Sequence, residues 1–267
     1  MVTNAKNTTI TTFENILVVG DAGAGKSTMV RSLPGKKFAY LFDPNALRAH
    51  EGADIDYEEW LPDTLELDTT IKRFDKAGKP DDKPSSAREP RVYLEWCADI
   101  ATKAEEGFFG PYDWVIFDSI TLLQKACFDR QTYINNRYGR PEQLADYRIV
   151  GSKMSDLIRA ATSEKVNTFF TGHIDTWQDE LTKKVTTQLA LSGSAKRQIP
   201  LVMSNIWLAE CKSTETEIKY TIQTRPADRG LQTIRSSIRG LEMFEEVTIR
   251  DWNDPEKSGL SKILNGK

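Results

Sequence analysis

The sequence has few cysteines and no long apolar run. Its 267 residues include 3 cysteines, Cys97, Cys127 and Cys211, which are too few and too scattered for a disulfide framework or a cysteine-based metal site. No stretch approaches the roughly 20 apolar residues that a membrane-spanning helix requires, so we expect no membrane insertion. The first residues show no basic segment followed by an apolar one. We therefore expect a cytoplasmic protein without a secretory signal.

An excess of positive charge is also absent. The 36 lysines and arginines are outnumbered by 39 aspartates and glutamates, which gives a formal net charge of −3. Bulk charge does not predict a polyanion-binding protein, so contact with nucleic acid requires a local basic surface. Hydrophobic residues at 39% and charged residues at 28% are typical of a globular domain. The chain length fits one large α/β unit with appendages.

The clearest motif is a glycine-rich segment between an apolar run, Ile16–Val19, and a stretch able to form a helix. It matches the phosphate-binding pattern G-x-x-x-x-G-K-[ST], in which glycines let backbone amides surround a phosphate at a helix N-terminus. In this pattern Lys26 reaches the β- and γ-phosphates and the Ser27 hydroxyl binds Mg²⁺. The alternative is a chance match in a turn. The predicted P-loop consists of Gly20, Asp21, Ala22, Gly23, Ala24, Gly25, Lys26, Ser27 and Thr28.

A second apolar run, Trp114–Phe117, ends in Asp118. An apolar strand that delivers one aspartate at its end is the Walker B arrangement, in which the carboxylate binds Mg²⁺ opposite the P-loop hydroxyl. Alone the pattern is weak. After a P-loop, with a predicted strand and helix between the two, it predicts a second part of the same site. Asp118 and Ser27 are therefore the candidate metal ligands.

Two further predicted strands also end in polar residues. The run 38–42 is followed by Asp43, and the run 166–171 is followed by Gly172 and His173. Ligands of open α/β sheets bind beyond the carboxyl ends of the strands, so Asp43 and His173 are candidate site residues. The alternatives are an ordinary Asp-Pro turn at Asp43 and a histidine that only caps its strand.

The order of predicted elements indicates the fold class. Apolar spacing predicts helices over 92–106, 120–138 and 142–163, and their alternation with strands indicates a mostly parallel sheet flanked by helices. A C-terminal β-hairpin and a final helix are predicted to follow. We also predict an N-terminal arm over 1–13, one domain over 14–267, a mobile loop over 75–91, a long loop over 176–198 and a hairpin and tail over 205–267.

The sequence resembles the phage RecA-like P-loop nucleotide-binding proteins of the Sak-type single-strand annealing ATPase family, over about residues 14–239. The resemblance depends on the P-loop, Asp43, Phe117-Asp118-Ser119, Thr171-Gly172-His173 and Thr224-Arg225-Pro226, in this order. It implies a RecA-like ATPase core with ATP and Mg²⁺ as cofactors. It also implies single-stranded DNA as a partner, a homo-oligomeric ring or filament, and a role in phage recombination or replication in the host cytoplasm. A phage or host single-strand-binding or replication protein is a further implied partner.

The resemblance also implies roles for single residues. His173 would sense the γ-phosphate and relay its presence to the loop over 176–198, which would contact DNA. Related proteins commonly have a glutamate two residues after the aspartate that ends the second strand, and this chain has Asn45 there. Asparagine orients a water but does not accept its proton. We therefore expect slow hydrolysis, or use of Asp43 or Asp118 instead.

Basic residues that follow His173 are candidates for DNA contact or for completing the site of a neighbouring subunit. Phosphoryl transfer needs positive charge beyond the P-loop lysine, and the alternative is a solvated surface. These candidates are Lys183, Lys184, Lys196, Arg197, Arg225 and Arg239. Three functions stay open: an ATPase acting on single-stranded DNA, a nucleotide-gated loader or interaction protein with weak hydrolysis, and a small-molecule P-loop kinase.

Overall fold

An eight-stranded, mostly parallel sheet forms the centre of the computed structural model, which describes residues 13–62, 89–138, 140–178, 180, 185–227, 231 and 233–265. A separate two-stranded hairpin protrudes from it. The strands are β1 (Asn15–Val19), β2 (Lys37–Leu41), β3 (Asp56–Glu59), β4 (Trp114–Asp118), β5 (Asn167–Gly172), β6 (Ile174–Gln178), β7 (Val185–Leu189), β8 (Asn205–Ser213), β9 (Ile218–Gln223) and β10 (Phe244–Glu246).

Helices cover both faces of this sheet. They are α1 (Lys26–Met29), α2 (Ala46–His50), α3 (Val92–Glu105), α4 (Ile120–Ile134), α5 (Leu144–Ala161), α6 (Ala195–Val202) and α7 (Leu260–Asn265), with 3₁₀ turns at Val30–Ser32 and Pro255–Lys257. No helix in the described part of the chain is long and apolar enough to cross a membrane.

The continuous apolar run of β1 follows from this two-sided cover. Leu17 and Val19 pack into the core formed with α3, α4, α5 and α6. Ile16 and Val18 pack into the opposite core, which includes α1, α2 and α7. Because successive side chains of a strand point to opposite faces, a strand buried on both faces has a nearly continuous apolar sequence. All four of these side chains are fully buried.

The strand order places four loops at one edge of the sheet. The order is β10-β9-β8-β1-β5-β4-β2-β3, and β8, β1, β5, β4, β2 and β3 run parallel to one another. The loops that follow β1, β5, β4 and β2 therefore leave the sheet on the same side. These loops contain the P-loop, His173 and Asp43, and Asp118 is the last residue of β4 at the same edge. The topology thus assembles the residues that the sequence singled out.

The predicted fold class is confirmed, including the C-terminal hairpin, which is β8 paired antiparallel with β9. The helices predicted over 92–106, 120–138 and 142–163 are α3, α4 and α5, although α4 ends earlier, at Ile134. The predicted final helix is α7. Nearly all of the mobile loop predicted over 75–91, and nearly all of the N-terminal arm, lie outside the described residues, and the division into domains stays a prediction.

One predicted loop is wrong. Most of the segment 176–198 is not irregular, because it contains part of the β6–β7 hairpin and the first half of α6. The hairpin escaped prediction because most of β6 is exposed, so it lacks an alternation of apolar and polar residues. Strand β3 was also missed, because its residues Asp56–Glu59 are mostly acidic and exposed and pair with β2 alone.

Candidate active site

The P-loop turns sharply between β1 and α1. Gly23 and Gly25 have φ angles of 82° and 79°, in the left-handed region that favours glycine. The Ala24 amide donates to the Asp21 carbonyl at 3.2 Å, and the Gly20 amide donates to the Gly172 carbonyl at 3.3 Å. The loop is therefore closed on itself and tied to the end of β5. Helix α1 starts directly after Gly25.

Lys26 lies at the centre of the site. Its side chain is buried, and its Nζ donates to the backbone carbonyls of Gly20 at 2.9 Å and Asp21 at 2.8 Å. Burial lowers the pKa of Lys26, and the carboxylates of Asp118, Asp21 and Asp43 oppose that shift. The ammonium group thus lies within electrostatic reach of acidic side chains from three segments of the chain.

Asp118 ends β4 and is 2% exposed. Its Oδ1 accepts a short hydrogen bond from the hydroxyl of Thr171 on β5. Burial would raise the pKa of this carboxyl, but His50, Thr171 and the Ser27 hydroxyl together hold the pKa below its ordinary value. The structure therefore brings Asp118 and Ser27 together, as the predicted metal site requires. Metal binding by the two residues stays a prediction.

Asp43 and Asn45 differ in their relation to the site. The Asp43 carboxylate accepts from the Asn45 backbone amide at 2.8 Å, which forms a turn before α2. Asp43 acts electrostatically on both Lys26 and His173. Asn45 is exposed, and its side chain makes no capping hydrogen bond to α2. Asp43 is therefore the residue of the pair whose charge reaches the P-loop lysine.

His173 joins β5 to the protruding hairpin. Its backbone amide donates to the Thr121 hydroxyl at 3.0 Å, and its carbonyl accepts from the Ala190 amide at 2.9 Å. Burial and the nearby positive charge of Lys26 lower the pKa of the imidazole. His173 thus lies between the P-loop and the hairpin, where the charged form of its imidazole is disfavoured.

Sequence reasoning missed His50, the last residue of α2. The imidazole is 4% exposed, and its Nε2 lies 3.8 Å from Asp118 Oδ2. At that distance it is a nearby dipole and not a hydrogen bond of normal length. The one available signal was a histidine in a short segment that follows the strand ending at Asp43. Only the fold brings that segment against β4.

A cavity of about 280 Å³ opens beside the P-loop. It lies between the start of α1 and the C-terminal hairpin, so it is within reach of a ligand whose phosphates occupy the P-loop. The Tyr220 ring packs directly on Gly25. The lining consists of Gly25, Thr28, Met29, Ile218, Tyr220, Val247, Thr248, Ile249 and Trp252.

The basic residues that are candidates for DNA contact or for a neighbouring subunit's site lie on different elements. Lys196 Nζ, on α6, donates to Gln188 Oε1 of the hairpin at 3.3 Å, and Arg197 next to it is exposed. Arg225 follows β9 and is exposed. Its guanidinium donates to the Leu241 carbonyl at 2.5 Å. Arg239 is also exposed. Lys183 and Lys184 lie outside the described residues.

Comparisons with known proteins give one family match and several similar structures. The sequence profile of the AAA-domain family matches residues 12–233. No curated protein matches the chain. A KaiC-like protein from the archaeon Pyrococcus horikoshii is similar in structure, with 12% identity, a TM-score of 0.42, and coverage of 91% of this chain and 87% of that one. The flagellar accessory protein FlaH from Methanocaldococcus jannaschii has 11% identity, a TM-score of 0.39, and coverage of 89% and 85%.

Proposed function

This chain belongs to the AAA-domain family and has a RecA-like P-loop fold, and we propose that it binds ATP with Mg²⁺, hydrolyses ATP and uses that cycle to act on single-stranded DNA. One observation carries the proposal. Lys26, Asp118 and His173 converge at one sheet edge, and a protruding hairpin starts directly after His173. The proposed nucleotide site and the hairpin that we propose responds to it are thus adjacent.

The residues at the sheet edge fit a magnesium nucleotide. Amides of the P-loop and the Lys26 ammonium would hold the phosphates, because both complement negative charge. The Ser27 hydroxyl and the Asp118 carboxylate are hard oxygen ligands of the kind that Mg²⁺ prefers, and Asp118 Oδ2 has no hydrogen-bond partner in the described part of the chain. When bound, the ion neutralises charge on the phosphates. The base would enter the cavity beside Tyr220 and Trp252.

We propose that Asp43 activates the water that attacks the γ-phosphate. Its carboxylate acts electrostatically on Lys26, whereas the Asn45 side chain is exposed and does not accept a proton. His173 would sense the γ-phosphate through its imidazole. Because the Ala190 amide is bonded to the His173 carbonyl, a movement of His173 would reach both strands of the hairpin.

The hairpin offers features that suit single-stranded DNA. Trp177 on β6 is 45% exposed, and Lys196 lies beside Gln188 on β7. Exposed aromatic rings stack on bases and nearby cations pair with phosphates, without sequence preference. Together with the resemblance described above, these features support a role in recombination or replication of phage DNA. The same resemblance supports assembly into a ring or a filament.

Turnover of ATP with and without single-stranded DNA tests the proposal. We expect DNA to stimulate the wild type and to have little effect on Trp177→Ala, whose DNA-binding free energy should fall by about 1–3 kcal/mol. Phe244→Ala is a matched control, because Phe244 is 43% exposed but lies on β10 at the sheet edge. Lys26→Ala should abolish turnover in every condition. A wild type that neither binds DNA nor responds to it would contradict the DNA part of the proposal.

A nucleotide-gated loader is the second candidate. Two observations favour it: Asn45 stands where a catalytic glutamate is common, and the net charge is −3. Such a protein would hydrolyse ATP slowly with or without DNA, and would bind a phage or host single-strand-binding or replication protein only with ATP present. A P-loop kinase would instead form ADP only when a small acceptor is present to take the γ-phosphoryl group.

A further inference from the structure

His50 is one of the 2 histidines of the chain and lies buried beside Asp118. Neither of its ring nitrogens has a hydrogen-bond partner within the described residues, and the same holds for Asp118 Oδ2, 3.8 Å from His50 Nε2. Buried polar atoms without partners are uncommon, because each has given up its hydrogen bonds to water. His50 Nε2 and Asp118 Oδ2 are thus two unpartnered buried atoms at the proposed metal site.

The Asp118 carboxylate is held between two elements. On one side, the Thr171 hydroxyl from β5 donates to Oδ1. On the other side, Oδ2 faces the imidazole of His50 from α2. The carboxylate is therefore held at Oδ1, and a second hydrogen bond at Oδ2 would fix its orientation.

The backbone around His50 is fixed by a residue from the P-loop side of the fold. Arg31, in the 3₁₀ turn that directly follows α1, donates to the carbonyls of Ala49 at 3.4 Å and Glu51 at 2.9 Å. These carbonyls flank His50 on both sides. The Arg31 guanidinium also lies 5.1 Å above the Trp252 ring, at the wall of the cavity beside the P-loop. The turn that follows the P-loop helix thus stabilises the backbone on both sides of His50.

We propose that His50 is a positioning residue for Asp118, whose Nε2–H donates to Oδ2 when a magnesium nucleotide is bound. The inference rests on the proposed function. A movement of about 1 Å would shorten the present gap to the length of an N–H···O hydrogen bond. Partners of this kind orient metal-ligating carboxylates, and their loss lowers metal affinity by about 10- to 100-fold. His50 would set the magnesium requirement of the site without touching the nucleotide.

Two amide substitutions separate this role from simple filling of the core. In His50→Gln, the side-chain amide reaches about as far as Nε2, whereas in His50→Asn it reaches only about as far as Nδ1. The probe is a fluorescent, non-hydrolysable ATP analogue, whose binding is titrated with Mg²⁺. We expect His50→Asn to raise the Mg²⁺ concentration for half-maximal binding by about 10- to 100-fold, and His50→Gln to stay within about threefold of the wild type.

Further measurements complete the test. Excess Mg²⁺ should restore the kcat of His50→Asn, because the nucleotide contacts are intact. Arg48→Gln, an exposed change on the same helix, is the control. If thermal unfolding shows that His50→Asn is not folded, His50→Leu, which also lacks the donor, replaces it.

Equal magnesium requirements of the Asn or Leu variant and the wild type would overturn the role of His50, and so would a Gln variant as impaired as the Asn variant. A wild type that binds no analogue, or binds it without regard to Mg²⁺, would instead overturn the proposed function.

Discussion

The ring of Tyr220 lies so close to Gly25 that a Cβ at residue 25 would stand 2.6 Å from Tyr220 Cδ1. Tyr220 belongs to β9 of the C-terminal hairpin, and Gly25 is the last P-loop residue before α1. The hairpin is therefore more than an extension of the sheet, because it forms a wall of the P-loop. A change in this contact should affect phosphate binding directly.

Gly25→Ala should weaken nucleotide binding and stability more than Gly23→Ala. Both glycines have positive φ, which costs an alanine about 1–2 kcal/mol. A Cβ at Gly23 meets nothing within 4 Å, whereas a Cβ at Gly25 clashes with Tyr220. We expect the clash to add about 1–3 kcal/mol, measured as the difference in unfolding free energy by urea denaturation.

The double variant Gly25→Ala with Tyr220→Ala checks the cause of that difference. Removing the ring should return the cost of Gly25→Ala to the level seen for Gly23→Ala, since only the backbone strain is left. Equal costs for the two single variants would show that the Tyr220 contact yields without a penalty.

His173 should titrate below the ordinary histidine pKa of about 6.5, because burial and the charge of Lys26 disfavour the imidazolium. The unfolded chain then binds the extra proton first, so stability should fall as the pH falls from about 6.5 toward the folded-state pKa. Bound ATP analogue adds negative charge and should raise the midpoint. NMR of tag-free protein measures the His173 midpoint with and without the ATP analogue. The variant His173→Asn assigns the signal, since the chain has 2 histidines.

A His173 midpoint at or above that of an exposed histidine would contradict its placement beside Lys26. A midpoint that does not move with the nucleotide analogue would argue against its role in sensing the γ-phosphate.

Much of the site could be predicted because it depends on short segments. The run Ile16–Val19 is apolar at every position since both faces of β1 are covered, and the P-loop pattern follows it directly. Asp118 could be predicted in the same way, because it directly follows the apolar run of β4. Parallel strands then bring the segments to one edge, which is a consequence of the fold class and needs no knowledge of contacts.

The parts that escaped prediction depend on contacts between distant residues. Nothing in the local sequence indicates that Tyr220 packs on Gly25 or that His50 faces Asp118. The β6–β7 hairpin is exposed along most of β6, so burial left no period in its sequence. A periodic pattern of apolar residues indicates that one face of an element is buried. Where an element has no buried face, the sequence of a strand cannot be told from that of a loop.

Asp43→Asn should lower ATP turnover by about 100-fold or more while nucleotide affinity is retained, if Asp43 is the general base. The Asp43 carboxylate influences Lys26, whereas Asn45 is exposed, so Asn45→Ala should have little effect on turnover. Steady-state kinetics at saturating ATP and Mg²⁺, together with binding of a non-hydrolysable analogue, separate the two steps. Retained turnover in Asp43→Asn would assign the water to another residue.

Asn45→Glu gives a complementary result. It places a carboxylate where related proteins commonly have glutamate, and we expect turnover to rise because a proton acceptor has been added. The rise should survive in combination with Asp43→Asn only if the new side chain reaches the attacking water itself. No change, or a loss, would mean that residue 45 does not face the γ-phosphate.

The last prediction is that a neighbouring subunit completes the site. Phosphoryl transfer needs positive charge beyond Lys26, and the structure leaves arginines available to supply it. Among the described residues, the guanidinium groups of Arg197 and Arg239 have no hydrogen-bond or ion-pair partner, and Arg225 is exposed. Specific activity should therefore rise with protein concentration as subunits associate.

Mixing inactive variants identifies the arginine. Lys26→Ala binds no ATP but can donate its arginine, and an arginine variant binds ATP but donates nothing. In an equimolar mixture, about a quarter of head-to-tail interfaces pair an intact ATP site with an intact arginine, so activity should reappear. A mixture of Lys26→Ala with Asp118→Asn is the control, because both changes damage the same site and no interface is restored. Activity that is independent of concentration, from a protein that stays monomeric with ATP and single-stranded DNA, would show that each subunit works alone.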